Sequence, residues 1–402
     1  MRATIVHRLA LAVAIAAFSS LAIGCGSEER SPSDIASAPA DLGARAWQRL
    51  PGAPLSPREG ALGIWTGREA LIIGGSDARP CPPNARCPAP DVPRLRDGAA
   101  FDPEARRWRR IASSPVSLAL AESVVVGGIA YVWTSDDAGT AGNDAAFIEY
   151  SRRTDRWRRL PLPPGGAEGM RGLTRAGDRI VAYATTDGAG DRADLAFDPA
   201  VERWSELPRD PLPPSSGRVM VWSGHELVLF AHQTVADASS ADQPALTQAA
   251  ALDAKSGVWR RLPDSEILGL SPWVPVDGLL INPMLGSADG GKVNGWGRSY
   301  PNGGILDVSR SRWLPLPDSP REEADMAAGV VTPSRGHYFS DRGWVLDTTT
   351  STWTELPSID DEKAFVTGRT VVAARSRLLV FGGVRWSNGN RRGELRDAAS
   401  IW

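Results

Sequence analysis

The stretch DPEARRWRRI, residues 102–111, places an Asp six residues before a Trp, and the chain repeats that spacing down its length. It returns as DPAVERWSELP (Asp198, Trp204), DAKSGVWRRLP (Asp253, Trp259), DVSRSRWLPLP (Asp307, Trp313) and DTTTSTWTELP (Asp347, Trp353). Ser151 stands for the Asp before Trp157, and DLGARAWQRLP supplies Asp41 and Trp47 near the beginning. An Asp at the end of a strand accepts backbone N–H bonds in the tight turn that follows, a role Ser shares. The Trp then lies on the next strand, where its large ring is expected to pack between neighbouring units.

Successive motif Trp residues are 61, 49, 47, 55, 54 and 40 positions apart. A period near 40 to 50 with strand-like content points to the blades of a β-propeller. Each interval has one internal order. ALGIW, TGRE and ALIIGG read as strand, turn and strand; after a long loop, GAAFDP and RRWRRI read as a third and fourth strand. The opening recurs as VMVWSGHELVLF and TVVAARSRLLVF, and no long stretch of helical period interrupts the pattern after the first residues. The last residues, RDAASIW (Arg396–Trp402), match a third strand cut off before its Asp, and the Trp47 segment supplies a fourth. Joined, they complete one blade. With six intact repeats this predicts an all-β, seven-bladed propeller, closed by pairing an N-terminal strand with the C-terminal blade so that no sheet edge is left open.

These residues resemble the kelch-type β-propellers, related in fold to galactose oxidase, over about residues 41–402. Gly74-Gly75 and Gly382-Gly383 are similar to that family's glycine doublet at the end of the second strand. The middle repeats lack the doublet, and WVPVDGLLINPML in the fifth is irregular. The resemblance implies that the loops between second and third strands gather on one face together with those linking blades. It does not bring the copper chemistry of galactose oxidase. That site needs two His, two Tyr and a Cys crosslinked to a Tyr, whereas beyond the leader the chain offers only His225, His232 and His337, two of them at turns between first and second strands. No cofactor is expected.

The N-terminus reads as an export leader. MRATIVHRLALAVAIAAFSSLAIGC has a basic start at Arg2 and Arg8, a short apolar run and small residues before Cys25. LAIGC resembles a lipoprotein lipobox, which makes residues 1–24 a signal peptide and Cys25 the lipidated first residue of the mature protein. Simple secretion is the alternative. Residues 25–40 are small, polar and proline-bearing and read as a flexible tether. The expected location is the bacterial cell envelope, on a membrane through the lipid alone. Cys81 and Cys87, in CPPNARC, are expected to form a disulfide in that oxidising setting, since no His or further Cys accompanies them as metal ligands.

Charge excludes one class of partner. The 45 basic and 47 acidic residues leave a net charge of −2, and removal of Arg2 and Arg8 with the leader brings it to −4, so no basic excess draws the chain to nucleic acid. Two groups of residues are candidates for ligand binding. Trp296 with Tyr300, and Trp386 with Asn388 and Arg391, sit in long loops and suit a sugar face or a peptide, or simply pack those loops. Arg58, Glu59, Glu122, Arg171, Arg218, Glu322, Glu323 and Arg369 fall at the starts of the innermost strands, near the mouth of a central channel. There they would bind a carboxylate and orient hydroxyls, or neutralise one another as polar lining. The function expected is a binding or scaffold module for an envelope protein or glycan. The alternative is a carbohydrate-active enzyme resembling the kelch-type sialic acid mutarotases.

Overall fold

The computed structural model describes residues 46–402 apart from 84, 88–94, 119–120, 135–144, 165–170, 188–192, 234–242, 291–294, 319–328, 333–336, 341–343, 358, 360–364, 376 and 388–391. The leader, Cys25 and the tether therefore lie outside the described residues. Within them the fold is all-β, with no helix and seven four-stranded antiparallel sheets. The first sheet orders Leu62–Trp65, Ala70–Ile73, Gly98–Asp102 and Arg107–Ile111 side by side. Five more, with first strands at Glu122–Val126, Arg171–Ala176, Ser215–Trp222, Val274–Val276 and Gly329–Thr332, repeat that order. The seventh combines both ends of the chain. Thr370–Ala374, Arg377–Phe381 and Ala399–Ile401 are its first three strands, and Gln48–Arg49 is the fourth, with Gln48 opposite Ile401.

Position in the sheet dictates composition. Second and third strands are buried on both faces, so Ala70–Ile73 and Ala99–Phe101 are continuous apolar runs without exposed surface. Fourth strands, at the outer edge, keep half of their residues in solvent, as in the exposed, half-buried, half-buried, exposed order of Val258–Arg261. The first strand of each sheet lies beside that of the next, and that of the seventh lies beside those of the sixth and the first. Seven apolar clusters fill the gaps between consecutive sheets, each containing one motif Trp.

The turn between third and fourth strands takes the form that the motif predicts. Asp102 Oδ1 accepts the backbone N–H groups of Glu104 and Ala105, Asp253 Oδ1 those of Lys255 and Ser256, and Asp347 Oδ1 those of Thr349 and Thr350. Four residues after the Asp or Ser the chain enters the left-handed region. Only Gly257 is a glycine there; Arg106, Asp155, Glu202, Ser311 and Ser351 hold φ between 50° and 55°. Side chains at this strained position link sheets at the rim. Arg106 donates to Gln48 Oε1, Glu202 accepts from Arg158, and Ser311 accepts from Arg260, each partner being the residue just after the preceding sheet's motif Trp.

Every motif Trp makes the same reach. Its indole N–H donates to the carbonyl of the fourth residue after the preceding motif Trp. Trp108 binds Pro51, Trp157 Ala112, Trp204 Pro161, Trp259 Pro208, Trp313 Pro263 and Trp353 Pro317, over 2.7–3.1 Å. Trp47 binds Pro357 O at 2.8 Å, linking the first motif to the last. Where the acceptor residue is Ala112 rather than Pro, its own N–H is used by Asp155. The rings also stack on sheet residues: Trp108 lies 4.9 Å from Phe101 and 6.2 Å from Phe381 of the seventh sheet.

Two outcomes follow for stability. Trp259→Phe, which keeps a ring but removes the donor, is expected to cost about 1 kcal/mol in urea denaturation, and Trp259→Ala about 3 kcal/mol because the gap between sheets opens. A second concerns acid. The Asp307 carboxyl, nearly covered by its own turn at the protein surface, is held down to about 2 by the side chains of Arg310 and Ser309. A folded pKa below the unfolded value means a contribution present above the ordinary carboxylate range and lost as pH falls towards 2. Asp307→Asn should therefore lower the melting temperature at pH 7 and flatten its decline between pH 4 and 2.

Candidate functional site

The loops between second and third strands of the first and seventh sheets are packed on one another. In the first, Cys81 and Cys87 are joined by the expected disulfide, with their Cα atoms 5.9 Å apart. In the seventh, Val384–Ser387 and Arg392–Leu395 add to Phe365–Thr367 as a separate three-stranded sheet. Gly393 lies between the two loops: a Cβ there would stand 2.8 Å from the Trp386 ring and 2.9 Å from Pro80. The glycine doublets serve the same closeness. Gly75 and Gly383 have φ near 90°, and a Cβ on either would stand 2.7 Å from the Glu59 or Thr367 carbonyl oxygen.

Trp386 packs within this loop end. It is 5% exposed, and its indole N–H donates to Thr367 Oγ1 at 2.8 Å. Asn388 and Arg391, expected beside it, lie outside the described residues. Trp296 is in a different position. It stays half-buried at the loop of the fifth sheet, edge-on to Tyr300 at 5.9 Å, while the Arg298 guanidinium covers the Tyr300 ring at 4.5 Å and pairs with Glu266.

The residues at the starts of the innermost strands divide in the same way. Arg58 is 1% exposed and saturated: it forks onto both oxygens of Asp97 at 2.8 and 3.0 Å, and also reaches the Gly74 and Ser56 carbonyls and the Ser56 hydroxyl. Arg218, 2% exposed, binds Asp194 at 2.6 Å and Asp210 at 3.1 Å, together with the Ala184 carbonyl and Ser215. In both, the donors are used inside the fold. The first sits among loops of the first sheet, and the second ties the third sheet to the fourth.

Their partners differ in electrostatics. The Arg58 side chain holds the half-exposed Asp97 carboxyl below its usual range, whereas burial pushes Asp194 up against the pull of Arg218. Two carboxyl groups share the Arg218 guanidinium, and Asp194 is the more deeply desolvated of them.

Glu59 bridges to Ser76 through its backbone, and its carboxylate lies over Gly368, where a Cβ would stand 2.8 Å from Oε2. Arg369 is half-buried beside Gly383. Glu122 keeps more than a third of its side-chain surface accessible, yet protein surrounds its carboxyl closely enough for desolvation to raise the pKa. The side chain of Arg171, like Glu322 and Glu323, lies outside the described residues. Among the described residues, no group of three His, Cys, Asp or Glu side chains could hold a metal ion.

A cleft of about 700 Å³ was missed by reading the loops and strand starts. It opens where the first strands of the third, fourth and fifth sheets turn into their second strands, away from the connections between second and third strands. Tyr183, Met220, Trp222, Trp273 and Val276 line it, with Arg175 from the third sheet and Asp277 from the fifth on either side of the fourth sheet's first strand. Trp273 is 4% exposed and stacked parallel on Phe230 at 4.0 Å. The sequence signal was the irregular segment SPWVPVDG, residues 271–278, which departs from the repeat where the cleft is formed.

The assignment of Arg218 to structure has a direct test. Arg218→Ala leaves Asp194 and Asp210 buried without their cation and should cost about 3–5 kcal/mol in chemical denaturation. A loss under about 0.5 kcal/mol, within the range of ordinary surface substitutions, would return Arg218 to the list of ligand-binding groups.

No protein-family model and no curated protein matches the chain.

Proposed function

We propose that this chain is a seven-bladed kelch-like β-propeller lipoprotein, exported and held at a bacterial envelope by lipidated Cys25. In this reading it binds an envelope protein or a glycan through its loop face and catalyses no reaction. The seven sheets, the order of their first strands and the bond from Trp47 to Pro357 support a ring whose last blade is completed by Gln48–Arg49. The observation that carries the binding role is the construction of the loop end. The disulfide, the three-stranded sheet around Trp386 and the contact between Pro80 and Gly393 make adjoining loops into one preorganised surface. Loops held by a rigid scaffold lose little freedom on binding, which favours recognition.

The acidic-sugar mutarotase alternative needs convergent guanidiniums at the channel mouth. Arg58 and Arg218 are engaged with internal carboxylates, which favours the binding reading. The test is affinity capture from envelope extracts with the protein and with a Cys81→Ser, Cys87→Ser, Trp296→Ala variant whose fold is verified by circular dichroism. A specific partner retained by the first and lost by the second is expected. Faster interconversion of acidic-sugar anomers by NMR, abolished in Glu122→Gln, would replace the binding role with the enzymatic one.

A further inference from the structure

The cleft between the third, fourth and fifth sheets has the features of a ligand site separate from the loop face. Its floor is apolar and aromatic, from Tyr183, Met220, Trp222, Trp273 and Val276. Its volume of about 700 Å³ lies inside the range of about 300–1,000 Å³ common to small-molecule sites. Of the polar groups that line it, Ser223 is hydrogen-bonded within its own turn, whereas Arg175 and Asp277 have no ion-pair partner among the described residues.

Arg175, at the end of the third sheet's first strand, is exposed and makes no ion pair among the described residues. Asp277, in the turn of the fifth sheet, is likewise exposed and has no cationic partner among them. The half-buried Trp222 also differs from the seven motif Trp residues, since its indole N–H has no acceptor among the described residues. The fourth sheet's first strand separates the two charged walls, so a molecule lying across it meets a cation at one side and an anion at the other.

We propose that this cleft binds a short zwitterionic peptide, of two or three residues, with an apolar side chain. The peptide carboxylate meets the Arg175 guanidinium, the ammonium group meets Asp277, and the side chain lies on Trp222 and Met220. A guanidinium can take a carboxylate through two parallel hydrogen bonds, and charge-assisted bonds of this kind select strongly for the ionised partner. A neutral sugar leaves both charges unanswered, and a simple anion places its charge in the field of Asp277 as well as that of Arg175. Asp277 has φ 45°, a conformation that Asn also tolerates, so its charge can be removed without disturbing the turn.

Isothermal titration of the protein with the dipeptide Leu-Phe, and with its N-acetylated, C-amidated form, tests the assignment. The free dipeptide should bind, and the capped form should bind at least about tenfold more weakly, because both charge-assisted contacts are gone. Arg175→Ala and Asp277→Asn should each weaken the free dipeptide by about tenfold while leaving the capped form unchanged. Both residues are exposed and unpaired, so the variants should keep the parent melting temperature, which is checked first. Absence of binding at about 1 mM to the folded protein, equal affinity for free and capped dipeptide, or affinity unaltered in both variants would each overturn the proposal. The loop variant used above leaves this cleft intact, so failure here and failure of the loop-face reading are separate results.

Discussion

The indole of each motif Trp, reaching back to a carbonyl four residues beyond the preceding motif Trp, is the contact on which the rest of the structure depends. It couples two functions in one side chain. The ring fills the space between consecutive sheets, and the N–H, at the partly exposed edge of that space, ties each sheet to the end of the preceding one. Proline suits the acceptor position, since it offers a carbonyl and carries no N–H needing a partner of its own. The link from Trp47 to Pro357 spans 310 residues with the same geometry as links spanning 36 to 57. The ends of the chain are therefore held by the interaction that joins the middle sheets.

A second set of contacts runs along the rim and offsets the strain in three of the hairpin turns. A non-glycine residue in the left-handed region costs of order 1 kcal/mol, and glycine would remove that cost. Arg106, Glu202 and Ser311 nonetheless occupy it, and each supplies a hydrogen bond to the preceding sheet that glycine could not. At Gly257 the relation reverses. The residue after the preceding Trp is Ser205, whose hydroxyl turns to Ala196 within its own sheet, and the turn takes the unstrained residue.

Charge at the inner strand starts serves cohesion first. Arg58 and Arg218 each gather carboxylates and carbonyls from segments far apart in sequence, including Gly74 with Asp97, and Ala184 with Asp194 and Asp210. Buried guanidiniums need such complete satisfaction, because desolvation of an unpaired cation is costly. The polar groups left over lie elsewhere: on the covered loop end, at Glu122, and across the cleft formed by three sheets.

The Asp and Trp spacing was enough to establish the turn chemistry and the outward-facing fourth strands, because both rest on local geometry within about ten residues, and the repetition of the pattern down the chain gave the strand order. The disulfide was legible for the same reason, its two cysteines being close in the chain. Burial was not. Arg58, Arg218 and Trp386 read from sequence either as ligand groups or as polar lining and loop packing, and only Asp97, Asp194 and Thr367, brought to them by folding, show where their donors go. Of the cleft, only the irregular segment at residues 271–278 was visible, since Arg175, Trp222 and Asp277 belong to three successive sheets and share no local pattern. Periodicity specifies what each strand must bury, whereas the partner that meets each polar group depends on how neighbouring sheets come together.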